Sequence, residues 1–139
     1  MNYYAPITND HQTAFDACLT EALKIAVSND CNQLLIVVPQ RGTLPESAIE
    51  KTLGHRAVNN LMLKKKTFLD PITLFLQTRR SKPEGFVRGP VLAAYAHIDQ
   101  LKKLSKNSDI PGIVLYSDAP EDIEAFREMS DAKELKITF

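Results

Sequence analysis

The chain predicts an α/β fold, a three-layer α/β/α sandwich around a mixed, mostly parallel sheet of about five strands. Three observations carry that expectation. Short apolar runs such as Leu34 to Val38 and Pro90 to Tyr95 are continuous rather than alternating, as strands covered on both faces must be. Segments with helical apolar spacing follow them. Helix-start signals stand within a few residues of strand ends, the arrangement of right-handed crossovers.

Phe15, Cys18, Leu19, Ala22, Ile25 and Ala26 share one helical face, with Asp16, Thr20, Glu21 and Lys24 opposite, so residues 10–28 form an amphipathic helix that Ser28-Asn29-Asp30 ends. Leu34 to Val38, closed by Pro39, is too short for a helix and reads as a central parallel strand. Thr43-Leu44-Pro45-Glu46 then places a hydroxyl acceptor, an early proline and an acid three positions on, a capping box that should start a second helix. Leu44, Ala48, Ile49, Thr52 and Leu53 would be its buried stripe, and Gly54 its C-terminal cap.

Residues 55–71 fit two templates. Val58, Leu61 and Met62 suit a helical turn, whereas Leu61, Leu63, Lys65, Thr67 and Leu69 suit alternation. Ile72 to Thr78 is rich in β-formers and reads as a strand, followed by a polar loop from Arg79 to Gly85. Pro90 to Tyr95 is the third strand, leading into a helix at Ile98, Leu101 and Leu104 with Lys102, Lys103 and Lys106 on its wet side. Ile110 to Tyr116 is the fourth. Asp118-Ala119-Pro120-Glu121 opens a last helix with Ala119, Ile123, Phe126 and Met129 inward, and Glu134 to Phe139 closes the chain as a fifth strand. The short join between the second and third strands lacks a helical pattern, so one of that pair is expected to be antiparallel.

With 139 residues, 44% of them hydrophobic and 24% charged, the chain can bury one core and is expected to be a single domain. No apolar run is long enough to span a bilayer, and the opening Met-Asn-Tyr-Tyr-Ala-Pro lacks the regions of a signal peptide, so a cytoplasmic location is expected. In that setting Cys18 and Cys31 are expected to be reduced, structural thiols.

Net charge is zero but unevenly spread. Residues 55–88 carry eight basic side chains (Arg56, Lys64, Lys65, Lys66, Arg79, Arg80, Lys82 and Arg88) against Asp70 and Glu84. Residues 118–139 carry seven acids against Arg127, Lys133 and Lys136. Two kinds of site follow. Lys64, Lys65, Lys66, Arg79, Arg80, Lys82 and Arg88 can form a surface for the phosphates of nucleic acid or for a protein partner, with Phe68, Phe75 and Phe86 interleaved. Lysines that merely keep a strand edge soluble would look the same.

Alternatively, ligands of open α/β sheets collect beyond the carboxyl ends of parallel strands. That rule selects Gln40, Arg41, Gly42 and Thr43 after the first strand, His97 after the third, and Ser117, Asp118 and Glu121 after the fourth. Arg41, Gly42, Thr43 and Ser117 would hold an anion, with His97 and Asp118 as the candidate acid–base pair of an enzyme. Thr43 and Asp118 as helix caps and Gly42 as a turn residue are the competing structural explanations. Gln40-Arg41-Gly42-Thr43 lacks the glycines and lysine of a P-loop, five glycines make no dinucleotide fingerprint, and the three histidines have no metal-ligand spacing. No cofactor or metal is therefore expected. The leading expectation is a non-catalytic module that binds a macromolecule through residues 56–88. A third possibility is self-association, the acidic last helix and the strand Leu135 to Phe139 pairing with the basic region of another copy.

Overall fold

The computed structural model describes residues 1–45 and 47–138; Glu46 and Phe139 lie outside the described residues. In chain order the elements are β1 (Asn2–Tyr4), α1 (His11–Ser28), β2 (Gln33–Val37), α2 (Ala48–Leu53), α3 (His55–Lys64), β3 (Lys66–Leu69), β4 (Ile72–Gln77), β5 (Val91–Ala94), α4 (Ile98–Ser105), β6 (Ile113–Tyr116), α5 (Pro120–Ser130) and β7 (Lys133–Glu134). The strands form one sheet in the order β3-β4-β2-β5-β6-β1-β7. Every neighbouring pair is parallel except β3 with β4. The expected mixed, mostly parallel sheet is present, with seven strands among the described residues rather than five.

Alternation along the central strands sends side chains to two separate cores. Leu34, Ile36 and Val38 of the β2 segment pack with Leu92, Val114, α1, α2 and α3 on one face. Leu35 and Val37 pack with Phe75, Ala93, Leu115, α4 and α5 on the other. The continuous apolar run is what two covered faces require, each fully buried aliphatic side chain contributing roughly 1.5–3 kcal/mol. The face chosen for α1 from its spacing is the buried one. Asp10 caps this helix, its carboxylate accepting from the Thr13 amide at 3.2 Å and the Thr13 hydroxyl at 2.8 Å. Cys18 lies inside the same core and Cys31 is buried at the entrance to β2, both as free thiols. Burial pushes the Cys18 thiol up to about 12.

Residues 55–71 hold a helix and then a strand. The helical template describes α3 as far as Lys64, with Val58 and Leu61 buried. Lys66–Leu69 is a strand whose burial does not alternate, Phe68 and Leu69 both being exposed, with Lys65 between the two elements in the left-handed conformation at φ 60°. Gly54 separates α2 from α3 at φ 91°, a value glycine tolerates and side-chain-bearing residues do not.

Four expectations need correction. The second helix begins at Ala48, capped by the Ser47 hydroxyl, which accepts from the Ile49 amide at 3.2 Å. Thr43 instead ends a single 3₁₀ turn, Arg41–Thr43; the acid proposed for the capping box, Glu46, is outside the described residues. Asp118 caps nothing, since the N-cap of α5 is Ala119 with Pro120 in the first turn. The closing strand is only Lys133–Glu134, paired in parallel with the unforeseen β1.

β4 and β5 are both parallel to β2 and flank it, so the antiparallel strand is β3. Residues 78–90 return from the end of β4 to the start of β5 without a helix. Extended chain covers about 3.3 Å per residue against about 1.5 Å for a helix, so a short segment spans the return. The Gln33 side chain clamps this segment, donating to the Gly85 carbonyl at 2.9 Å and accepting from the Val87 amide at 2.7 Å. At Gly89 any Cβ would collide with the Gln33 carbonyl, so only glycine lets the returning chain meet β2 so closely.

Candidate anion-binding cleft

Because β4 is parallel to β2, its carboxyl end opens on the same rim as those of β2 and β5. The residues after these three strands line one cleft of about 710 Å³: Pro39, Gln40 and Arg41 after β2, Thr78 to Ser81 after β4, His97 after β5, and Lys65 from the α3–β3 junction. Arg41, Lys65, Arg79 and Arg80 bring four cations to it, and no carboxylate is among the described lining residues.

A tight turn presents the two arginines. The Thr78 amide donates to the Ser81 carbonyl at 3.0 Å, the Arg80 amide to the Thr78 hydroxyl at 3.3 Å, and the Arg79 amide to the Pro39 carbonyl at 3.3 Å. Arg79 and Arg80 are exposed, so their charges face solvent and any incoming ligand. Arg79 donates to Asp99 at 3.1 Å. Desolvation pushes the Asp99 carboxyl up, but its own amide, the Arg79 guanidinium and the Gln100 amide outweigh it and hold the group below its ordinary range. Arg80 has no ion-pair partner among the described residues.

Arg41 leaves the 3₁₀ turn and donates to the Met62 carbonyl at 3.2 Å, near the carbonyl end of α3, where a cation is favoured. This contact ties the loop after β2 to the α3–β3 junction and so to Lys65. Gln100 braces the third side. Buried at the start of α4, it accepts from the His97 amide at 3.2 Å and donates to the Val38 carbonyl at 3.5 Å. His97 itself is exposed on the wall of the cleft.

A second hollow of about 630 Å³ adjoins the first through Thr78 to Ser81. It lies where the return segment 78–90 stands in place of a helix over the sheet. Leu35, Phe86, Leu104 and Ile110 contribute apolar side chains to it, Lys82 and Lys103 basic ones, and Asp99 an acidic one. Phe86 packs edge-on against Phe75, ring centroids 5.8 Å apart.

The fold brings together Arg41 and His97 from the strand-end set with Lys65, Arg79, Arg80 and Lys82 from the basic segment. Lys64 and Lys66 flank Lys65 on the exposed junction without lining either hollow. Arg88 is elsewhere: it donates to the Asn29 carbonyl at 2.8 Å and to the Cys31 sulfur at 3.1 Å, beside the start of β2 and away from the rim. Gly42 and Thr43 are absent from the lining, and Gly42 has an ordinary negative-φ conformation with open space where a Cβ would be, so no turn demands glycine there. Ser117 is buried, and its hydroxyl accepts from the Ala119 amide at 3.1 Å.

Asp118 does not meet His97. It lines a separate hollow with His11, Lys51 and Tyr95. There the Tyr116 hydroxyl, buried, is shared between His11 Nδ1 at 3.1 Å and Tyr95 at 3.4 Å. Desolvation first, then the Tyr95 hydroxyl and the Asp118 charge, push the Tyr116 phenol upward. Tyr95 reaches this position from a left-handed backbone at φ 58°.

The strand-end rule had passed over Arg79 and Arg80 only because the direction of β4 was unknown. Phe86, one of the aromatics interleaved with the basic segment, is half-buried at the second hollow, whereas Gln100 and Lys103 carried no sequence signal beyond their helix. Among the described residues no helix is long and apolar enough to cross a membrane, and no group of three His, Cys, Asp or Glu could hold a metal ion. No family model, no curated protein and no solved structure matches this chain.

Proposed function

We propose that this protein is a non-catalytic module that binds the phosphates of nucleic acid in the cleft at the carboxyl ends of β2, β4 and β5. The observation that carries this reading is the convergence of Arg41, Lys65, Arg79 and Arg80 on one cleft that no described carboxylate lines. Four cations held on three separate loops favour an anion, and guanidinium forks match phosphate oxygens in pairs. Arg79 and Arg80 also line the adjoining hollow, where Lys82 and Lys103 outnumber the Asp99 carboxylate, and a row of cations of that extent suits several successive phosphates better than a single one. A catalytic role is less well supported, because the acid–base pair His97 and Asp118 is divided between different hollows.

The test is binding of labelled single-stranded DNA, RNA and duplex DNA at low salt, with the wild-type protein beside Arg41→Ala and Arg80→Ala. Salt-sensitive binding that both variants weaken supports the cleft. Binding that both variants retain at wild-type strength moves the interface elsewhere, and no binding of any of the three ends the nucleic-acid reading.

A further inference from the structure

The second hollow has a character of its own. A site for phosphates alone would need only charge, yet beyond Arg79, Arg80 and the Asp99 paired with Arg79 the wall is built from Leu35, Phe86, Leu104 and Ile110, with Asn107 able to make hydrogen bonds beside them. Leu35 and Leu104 are buried in the core beneath, and Phe86 is half-buried, fixed edge-on by Phe75. Residues 78–90 cross this part of the sheet as turns and irregular chain, so no helix lies over it. Its volume, about 630 Å³, falls in the range of small-molecule sites.

We infer that this hollow seats an unstacked base whose phosphate lies on Arg79 and Arg80, so that the preferred ligand is single-stranded rather than duplex nucleic acid. The inference rests on the phosphate-binding reading of the adjoining cleft. Charge and apolar surface occur in the order a nucleotide presents them. Arg79 and Arg80 belong to both hollows and would hold the backbone at their junction. Phe86 and Ile110, both half-buried, then offer a surface for the base, while the side-chain amide of the exposed Asn107 can meet its polar edge. A duplex keeps its bases stacked and paired, and so could use only the charged part. Sequence preference should be weak, because every base has a π-face.

The experiment compares oligothymidylate of about a dozen nucleotides with an abasic deoxyribose-phosphate strand of equal length, a span within the usual range for single-strand sites. Fluorescence anisotropy is read for the full chain as wild type and as Phe86→Leu, which keeps apolar volume but removes the ring. Circular dichroism and a thermal melt establish that the variant folds; Asn107→Ala, in the exposed turn after α4, is a second variant that leaves the core intact. Stacking on one base predicts oligothymidylate binding roughly tenfold or more tighter than the abasic strand. Phe86→Leu should remove most of that gap, and Asn107→Ala should narrow it, both leaving abasic binding unchanged. Equal binding of the two strands by the wild type overturns the inference while the phosphate reading stands. A gap that survives in both variants also overturns it, by placing base contacts elsewhere. If neither strand binds, the phosphate reading fails and this inference with it.

Discussion

Replacing Arg79 and Arg80 together with alanine gives the sharpest test of whether the rim is an electrostatic site. Both side chains are exposed on a turn held by backbone and Thr78 hydrogen bonds, so their removal leaves the fold intact. Each phosphate neutralised on a single strand adds about −0.7 to the slope of log affinity against log salt, so the four cations of the cleft predict a slope of about −2.8. Raising salt fourfold, from about 50 to about 200 mM, should then weaken wild-type binding about fiftyfold. With two cations left the slope falls to about −1.4, and the same rise costs about sevenfold. Of the single variants, Arg80→Ala should flatten the slope more than Arg79→Ala, because Asp99 already shares the Arg79 charge at 3.1 Å. Anisotropy titrations of a labelled single strand at four or five salt concentrations measure all of this. A double variant with the wild-type slope would refute the assignment of these arginines to the ligand.

Other perturbations test the separation of the hollows and the packing behind them. Asp118→Asn should leave strand binding and its salt slope unchanged, since Asp118 lines a different hollow from the cationic cleft; a clear change in either would show that the two are coupled. The Cys18 thiol, pushed from 9.0 to about 12, keeps its proton in the fold while the unfolded thiol ionises, so its contribution is intact below about pH 9 and declines as pH rises toward 12. Urea unfolding at about pH 8 and about pH 10.5 should show that decline in wild type and a smaller one in Cys18→Ala. Phe126→Ala removes a fully buried ring between α5 and the sheet and should cost about 3–5 kcal/mol, read as a lower urea midpoint. Gly54→Ala forces a side chain into φ 91° and should cost about 1–2 kcal/mol although nothing crowds the site; a neutral result would mean that the α2–α3 junction relaxes.

Features that depend on near neighbours along the chain were legible without coordinates. The continuous run Leu34 to Val38 states that both faces of its strand are covered, and the spacing of Phe15, Cys18, Ala22 and Ile25 states which side of α1 is inside. Both are consequences of side-chain direction repeating at a short period. β1 escaped because three residues, Asn2 to Tyr4, make too short a pattern; they become a strand only through pairing with β6 on one side and β7 on the other.

The site depended on facts of another kind. Arg79 and Arg80 share a cleft with Arg41 because β4 runs parallel to β2, while Arg88, a few residues further on, is carried back to the opposite end of the sheet by the return segment. His97 and Asp118, both just past the ends of parallel strands, open into different hollows: β5 lies next to β2, so His97 joins the loops after β2 and β4, whereas β6 is one strand further from them and Asp118 faces the starts of α1 and α2. Periodicity, caps and composition are local and are written residue by residue. Strand direction and order come from burying two faces of one sheet at once, a condition on the whole chain, and they decided which charges meet.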